Sequence, residues 1–396
     1  MKPRVLIVSP QVYPIPHSGA GMRAHFQAVH LSKLWPITLV SNTGVYKVID
    51  GDFEHRVIAN NREVPKSRAY VKSLLSSKHY QYERWNCGRW PVPFFDDFTH
   101  VIIHFPALLE YIVAKAPSVA RVILDTNNND REYFGTVAEG TSNQLKRNVI
   151  LRQAQNSEQL VMRSKQAIRA TISVSDSDRD WIAPLCANDA SHFVVPNNLF
   201  TYEPLPWNGR KAILYIGSLD VTMNIQALEW FTTYVWPKLQ VTVPNLEFIV
   251  AGRNPSAPLV TSLQNKGISV IANAPSTKPL YRDALCAVVP ALSGSGSKIK
   301  VGEALAHGVP VVSTTHGLIG QPEEIKRCCI VNDDPAEWVN TLSLLASRDE
   351  RSTPTWNRQV EAALERNSFA FSLSRVARYI EADTESHQQV CGHGER

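Results

Sequence analysis

The stretch PALSGSGSKIKVGEALAHGVPVVST, Pro290 to Thr314, decides how the rest of the chain is read. The apolar run CAVVP before it predicts a buried strand, and parallel α/β sheets bind ligands beyond the carboxyl ends of their strands. Gly294 and Gly296 then remove side chains, so that backbone N–H groups can approach a ligand closely. Ser297 stands at an expected helix N-cap, with Lys298 and Lys300 in the first turn. A helix start already carries about half a positive charge, so lysines there make sense beside a bound phosphate. Glu303 follows on the same helix, which Gly308 and Pro310 close. A carboxylate there can accept hydrogen bonds from a pair of ribose hydroxyls. The expectation is a diphosphate on the helix start and a sugar ring beside Glu303. The alternative is a flexible serine-glycine loop ahead of a surface helix.

Outward from this stretch, the same alternation covers the chain. RVLIVSP, ITLVSN, THVIIHF, ARVILDT, ATISVSD and HFVVPN read as strands separated by helix-compatible segments. NLFTYEPLPWNGRK (Asn198 to Lys211) breaks the rhythm and is expected to link two domains. AILYIG, LEFIVAG, ISVIAN, LCAVVP and VPVVST begin a second set, with a helix expected near Asn224 to Leu239. The predicted fold is α/β, with two Rossmann-like domains facing each other across a cleft. The expected boundaries are 1–200 for the first domain and 201–368 for the second, then a helix over 369–384 and a mobile tail over 385–396.

Bulk properties narrow the partners. The net charge of +5 over 396 residues fits an anionic small molecule or a membrane surface and is too diffuse for nucleic acid. The six cysteines form no C-x-x-C pair, which suits free thiols in a reducing cytoplasm. No apolar run approaches the roughly 20 residues that span a bilayer. Membrane contact, if made, is expected to be peripheral, on the inner face of the cell membrane. Arg62 to Trp90 carries seven Lys/Arg against two Glu, with four Trp or Tyr in its last eleven residues. It is expected either to grip a headgroup or glycan or to be helix surface over ordinary core aromatics.

EALAHGVPVVST (Glu303 to Thr314) resembles the C-terminal signature of glycosyltransferase family 4, of GT-B fold, and the likeness extends over about residues 3 to 382. That family has a second Glu eight positions before the one matched by Glu303. Here Ser295 stands there, as in a bacterial branch where a glycine-rich loop and a basic residue replace the acid. The resemblance implies that Glu303 binds the ribose and that Ser297, Lys298 and Ile299 contact phosphate beside Gly296. Family members carry Arg and Lys in a pattern after the domain's first strand. Here GSLDVTMN, starting at Gly217, has Ser218 and Met223 in those places. The missing charge is assigned to Arg253, which follows a strand end, and to Lys298. Lys300, at helical spacing from Lys298, is placed toward solvent. Asn273 matches a turn that contacts the base.

In the first domain, PIPHSGAGMRAHF resembles the family's first glycine-rich loop, with Gly19, Gly21 and Arg23 as candidates near the transferred sugar. ILDTNNNDREYF resembles a D-x-H-N-x-E segment near the reaction centre, with Asn127 where His is commoner. Asp125, Asn128 and His104 are the catalytic candidates; each has the alternative of a structural role at a strand end. No Asp-x-Asp or His/Cys grouping suggests a metal, and SDSD (Ser175 to Asp178) is expected to cap a helix. The implied activity is a retaining glycosyltransferase that needs neither metal nor cofactor. Its donor would be a UDP- or GDP-sugar and its acceptor a glycan, lipid-linked or small-molecule hydroxyl, in bacterial surface polysaccharide or glycoconjugate synthesis. The alternatives are a nucleotide-sugar 2-epimerase of the same fold and a non-catalytic nucleotide-sugar-binding partner.

Overall fold

The computed structural model describes residues 2–10, 19–58, 63–76, 78–90, 97–111, 121–294, 296–348 and 350–392. The chain divides into two compact units: Met1–Val195 with Ala370–Arg396, and Pro196–Phe369. The segment expected to link them, Asn198 to Lys211, lies inside the second unit. There the Glu203 and Leu205 N–H groups donate to the Ala306 and His307 carbonyls at 2.7 and 3.1 Å.

The first unit holds β1 (Val5–Val8), β2 (Ile37–Ser41), β3 (Gly44–Ile49), β4 (Asp52–Ile58), β5 (His100–His104), β6 (Val122–Asp125), β7 (Ile168–Ser173) and β8 (Ser191–Val194). They form one sheet in the order β4-β3-β2-β1-β5-β6-β7-β8. All four residues of β1 are fully buried, as a central strand covered on both faces requires. The parallel alternation expected here fails at one edge, where β2, β3 and β4 run antiparallel. The β3–β4 turn is Asp50-Gly51, with φ of 49° and 90°, the two positive values that a tight hairpin turn demands. The closing helix Phe369–Gly392 belongs to this unit from Ala370 on. Its Tyr379 hydroxyl donates to the Arg169 carbonyl at 3.2 Å, and His100 Nε2 lies 2.9 Å from Asp383 Oδ2. The helix runs on into the stretch expected as a mobile tail.

The second unit holds β9 (Ala212–Ile216), β10 (Glu247–Gly252), β11 (Ser269–Ala272), β12 (Cys286–Val289), β13 (Val311–Ser313) and β14 (Ile330–Val331). The sheet order is β11-β10-β9-β12-β13-β14, parallel throughout. This is the 3-2-1-4-5-6 arrangement of a doubly wound sheet, whose switch point falls between β9 and β12. Successive residues of β9 serve opposite faces: Ile213 and Tyr215 join a core around Phe231, Phe248 and Trp338, while Ala212 and Leu214 join one around Val301, Leu305 and Val360. Each such buried aliphatic side chain contributes about 1.5–3 kcal/mol relative to exposure. The helix expected near Asn224 to Leu239 is two, Thr222–Tyr234 and Trp236–Thr242. Pro237, which lacks an N–H, stands in the first turn of the second, where no intrahelical bond is lost.

Candidate functional site

The second unit brings its candidates to one edge, the carboxyl ends of its strands. Gly217 follows β9, Arg253 follows β10, Asn273 follows β11, and the loop from Pro290 to Lys298 follows β12. Gly294 and Gly296 have φ of 100° and 77°, a conformation that side chains disfavour. Three side chains fix this loop. Lys298 Nζ donates to the Gly294 and Gly296 carbonyls at 2.7 and 3.0 Å. His316 Nε2 donates to the Gly294 carbonyl at 3.0 Å, and Gln321 Nε2 to the Lys298 carbonyl at 3.0 Å.

The loop delivers the chain into the helix Ile299–Ala306. Its N-cap is Lys298, one residue later than expected, and no side chain caps the first turn. The first N–H groups of a helix have no intrahelical partner, so this start presents donors and the positive end of the dipole. The buried hydroxyls of Ser293 and Ser297 also have no partner among the described residues. Ser295 lies outside the described residues. Glu303 is 9% exposed, and Thr277 Oγ1 donates to its Oε1 at 2.6 Å. Burial holds its pKa above the usual carboxylate value, with the Thr277 bond opposing.

The cations are arranged differently from expectation. Lys298 spends its ammonium on the loop's own carbonyls. Arg253 Nη2 donates to Ser218 Oγ at 3.0 Å, and burial lowers its pKa. Lys300, expected toward solvent, is half-buried. Its Nζ lies 4.4 Å from the centroid of the Tyr215 ring, within cation–π range. Lys298 and Lys300 are two residues apart on or beside one helix, so they point to opposite sides. Asn273, at φ 53°, is exposed; its N–H donates to the Gly252 carbonyl at 2.8 Å, and its Oδ1 accepts from the Asn254 N–H at 3.1 Å.

The first unit also gathers its candidates at the carboxyl edge, but inside the protein. Asp125 and His104, at the ends of β6 and β5, are fully buried. Arg23 Nε donates to both Asp125 oxygens at 3.0 and 2.9 Å, and its Nη1 to the Val195 carbonyl at 2.8 Å. Arg23 therefore points into the fold rather than toward a ligand. Gln27 joins the two candidates: its Nε2 donates to Asp125 Oδ2 at 3.3 Å and its Oε1 accepts from His104 Nε2 at 2.8 Å. Asn127 Nδ2 donates to His104 Nδ1 at 3.0 Å. With both ring nitrogens engaged, burial pushes His104 down to about 4, so it is neutral at pH 7. Asn128 is half-buried beside this network. Gly19 and Gly21 open the helix Gly19–Ser32 instead of lying in a loop; the preceding 11–18 lie outside the described residues.

Gln27 was not among the expected site residues, although its spacing of four from Arg23 puts both on one helix face. A second buried cluster was also unforeseen. The Ser157 hydroxyl donates to Asp130 Oδ2 at 2.6 Å and accepts from His79 Nε2 at 3.0 Å. Ser175 caps the helix Asp176–Ile182, as SDSD suggested. In Arg62 to Trp90, the rings of Tyr80, Tyr82 and Trp90 are buried core, so they do not grip a ligand. Among the described residues, no three His, Cys, Asp or Glu are grouped to hold a metal, and no helix is long and apolar enough to cross a membrane.

Residues 210–348 match the family described as Glycosyl transferases group 1. No curated protein sequence matches the chain. Among solved structures, WaaG, a glycosyltransferase involved in lipopolysaccharide biosynthesis, is 11% identical with a TM-score of 0.63, over 95% of this chain and 99% of that one. A UDP-forming α,α-trehalose-phosphate synthase from Burkholderia xenovorans, solved with glucose-6-phosphate, is 12% identical with a TM-score of 0.61, over 96% and 100%. A mutant of S. aureus TarM, solved with fondaparinux, α-GlcNAc-glycerol and UDP, is 13% identical with a TM-score of 0.53 over 85% of this chain, which spans only 62% of its length. The chain thus has the GT-B fold, with two Rossmann-like α/β units, and its residues 210–348 are similar to the group 1 glycosyl transferases.

Proposed function

We propose that the chain is a retaining glycosyltransferase that works without a metal. It moves a sugar from a UDP- or GDP-sugar to a hydroxyl of a glycan, lipid-linked or small-molecule acceptor, in the synthesis of a bacterial surface polysaccharide or glycoconjugate. The observation that carries this is the uncapped start of the helix Ile299–Ala306 at the switch-point edge, with Glu303 buried on the same helix. The bond between the anomeric carbon and the diphosphate oxygen breaks as the acceptor oxygen bonds to that carbon; negative charge grows on the leaving group, which takes the acceptor's proton. Fixed N–H donors and the helix dipole meet that charge without reorganising, a contribution that reaches several kcal/mol. Glu303 accepts from the ribose hydroxyls. A peripheral membrane contact belongs to the same reading: the helix Lys66–Ser76 exposes Val71, Leu74 and Leu75 beside Lys66 and Arg68, a pattern suited to an anionic lipid surface.

Calorimetric titration of UDP, GDP, ADP and TDP into wild type and Glu303→Ala tests this. At least one nucleotide should bind wild type, and the variant should bind it at least about tenfold more weakly, the loss of one or two charge-assisted bonds. Equal affinity in both proteins would sink the assignment.

A further inference from the structure

Lys300 is the second residue of the helix Ile299–Ala306, where its charge opposes the dipole. Its ammonium sits over the Tyr215 ring, and a Cβ added to Gly217 would come within 3.1 Å of Nζ. Gly217 is thus the residue that leaves room for this cation at the end of β9. Among the described residues, no carboxylate forms an ion pair with it. The titratable groups around it are Tyr215 from β9, Tyr281 from the helix Lys278–Asp283, and Lys298 and Glu303 on its own side. The Tyr215 hydroxyl donates to the Asn224 carbonyl, and Glu303 is engaged by Thr277. A half-buried cation with no counter-charge is costly, and the Tyr215 ring offsets only part of that cost.

We propose that Lys300 is the cation that receives the diphosphate of the bound nucleotide. Resting on the function proposed above, it identifies which side chain neutralises the leaving group. Ser218 and Met223 leave no charge on the neighbouring turn, and Lys298 is committed to the loop carbonyls it holds. Arg253 donates to Ser218 Oγ at 3.0 Å, whereas Lys300, beside the end of β9 and at the switch point, has only the Tyr215 ring against its ammonium among the described residues.

A second property follows. Burial, and then the charge of Lys298, push Lys300 down to about 7. A diphosphate beside it favours the charged form, so binding takes up a proton at alkaline pH. No covalent step is involved: the proton comes from solvent and stays on Nζ until the nucleotide leaves.

The test is calorimetry at pH 8.5 with UDP and GDP, each in two buffers of different ionisation enthalpy, with uridine and guanosine as phosphate-free controls. For whichever diphosphate binds, wild type should take up a fraction of a proton. Lys300→Met should bind it at least about tenfold more weakly, take up none, and leave any binding of the nucleoside unchanged. Should Lys300→Met not fold, proton uptake by wild type decides alone, and its absence overturns the proposal. A variant that binds the diphosphate as tightly as wild type also overturns it, with the glycosyltransferase reading left standing. If wild type binds neither diphosphate, that reading falls and this inference with it.

Discussion

The two units place charge at the carboxyl edge of their sheets and treat it in opposite ways. In the first, Arg23 and Asp125 are each 1% exposed or less and are joined by two bonds, with Gln27 linking the pair to His104. In the second, among the described residues, Lys300 stands on an aromatic face with no ion pair, and Ser297 Oγ has no hydrogen-bond partner. A charge bonded to its counter-charge holds a scaffold; a cation without one is poised for an anion that arrives. Both units are strained at this edge. Phe105 and Asn127 have φ of 69° and 60° in the first, and Asn254 and Asn273 have 53° in the second.

The contrast breaks most sharply under charge deletion. Asp125→Ala leaves Arg23 buried without its acid, and the first unit should lose about 3–5 kcal/mol, read by urea unfolding followed through that unit's own probes. A loss under 1 kcal/mol would mean that the network is not what holds the edge. Lys300→Met removes a cation that has no counter-charge among the described residues and should raise stability by about 1 kcal/mol. The folded pKa lies below the unfolded one, so the unfolded chain binds more protons between them, and stability from this group rises with pH above about 7. The gain from the substitution should therefore be larger at pH 6 than at pH 9.

The smallest effect concerns Asp130, which burial pushes up to about 7. Here the folded pKa is above the unfolded one. The group's stabilising protonation is complete at low pH and is lost as pH rises through about 7. Asp130→Asn mimics the neutral acid, so its stability relative to wild type should improve from pH 5 to pH 8 by about 1 kcal/mol. His79, which donates to Ser157 in the same cluster, is pushed down to about 4 by burial and works in the opposite direction below pH 6.5. The comparison of variant with wild type at each pH separates the two.

Legibility followed the range of the interactions. Val5 to Val8 and Cys286 to Val289 announce buried parallel strands because both faces of each are covered, and a continuous apolar run records that locally. Strand β3 hid because its residues alternate in burial, and its turn rests on a single Asp-Gly pair. The helix start after Gly296 could be seen from neighbours in sequence. The bond between Arg23 and Asp125 spans 102 positions and leaves no local trace. Spacing alone fixed that Lys298 and Lys300 point apart, but not which of them turns inward. That depended on Gly294 and Gly296, whose carbonyls take Lys298.

The closing helix also dictates an order of assembly. Pro196–Phe369 is one continuous piece and is complete once its last residue is made, whereas the first unit needs Ala370–Arg396 as well. During synthesis, domains fold as their residues emerge, so the later lobe can finish first. His100, its ring buried at the foot of β5, has to wait for Asp383 to be translated before it gains that partner.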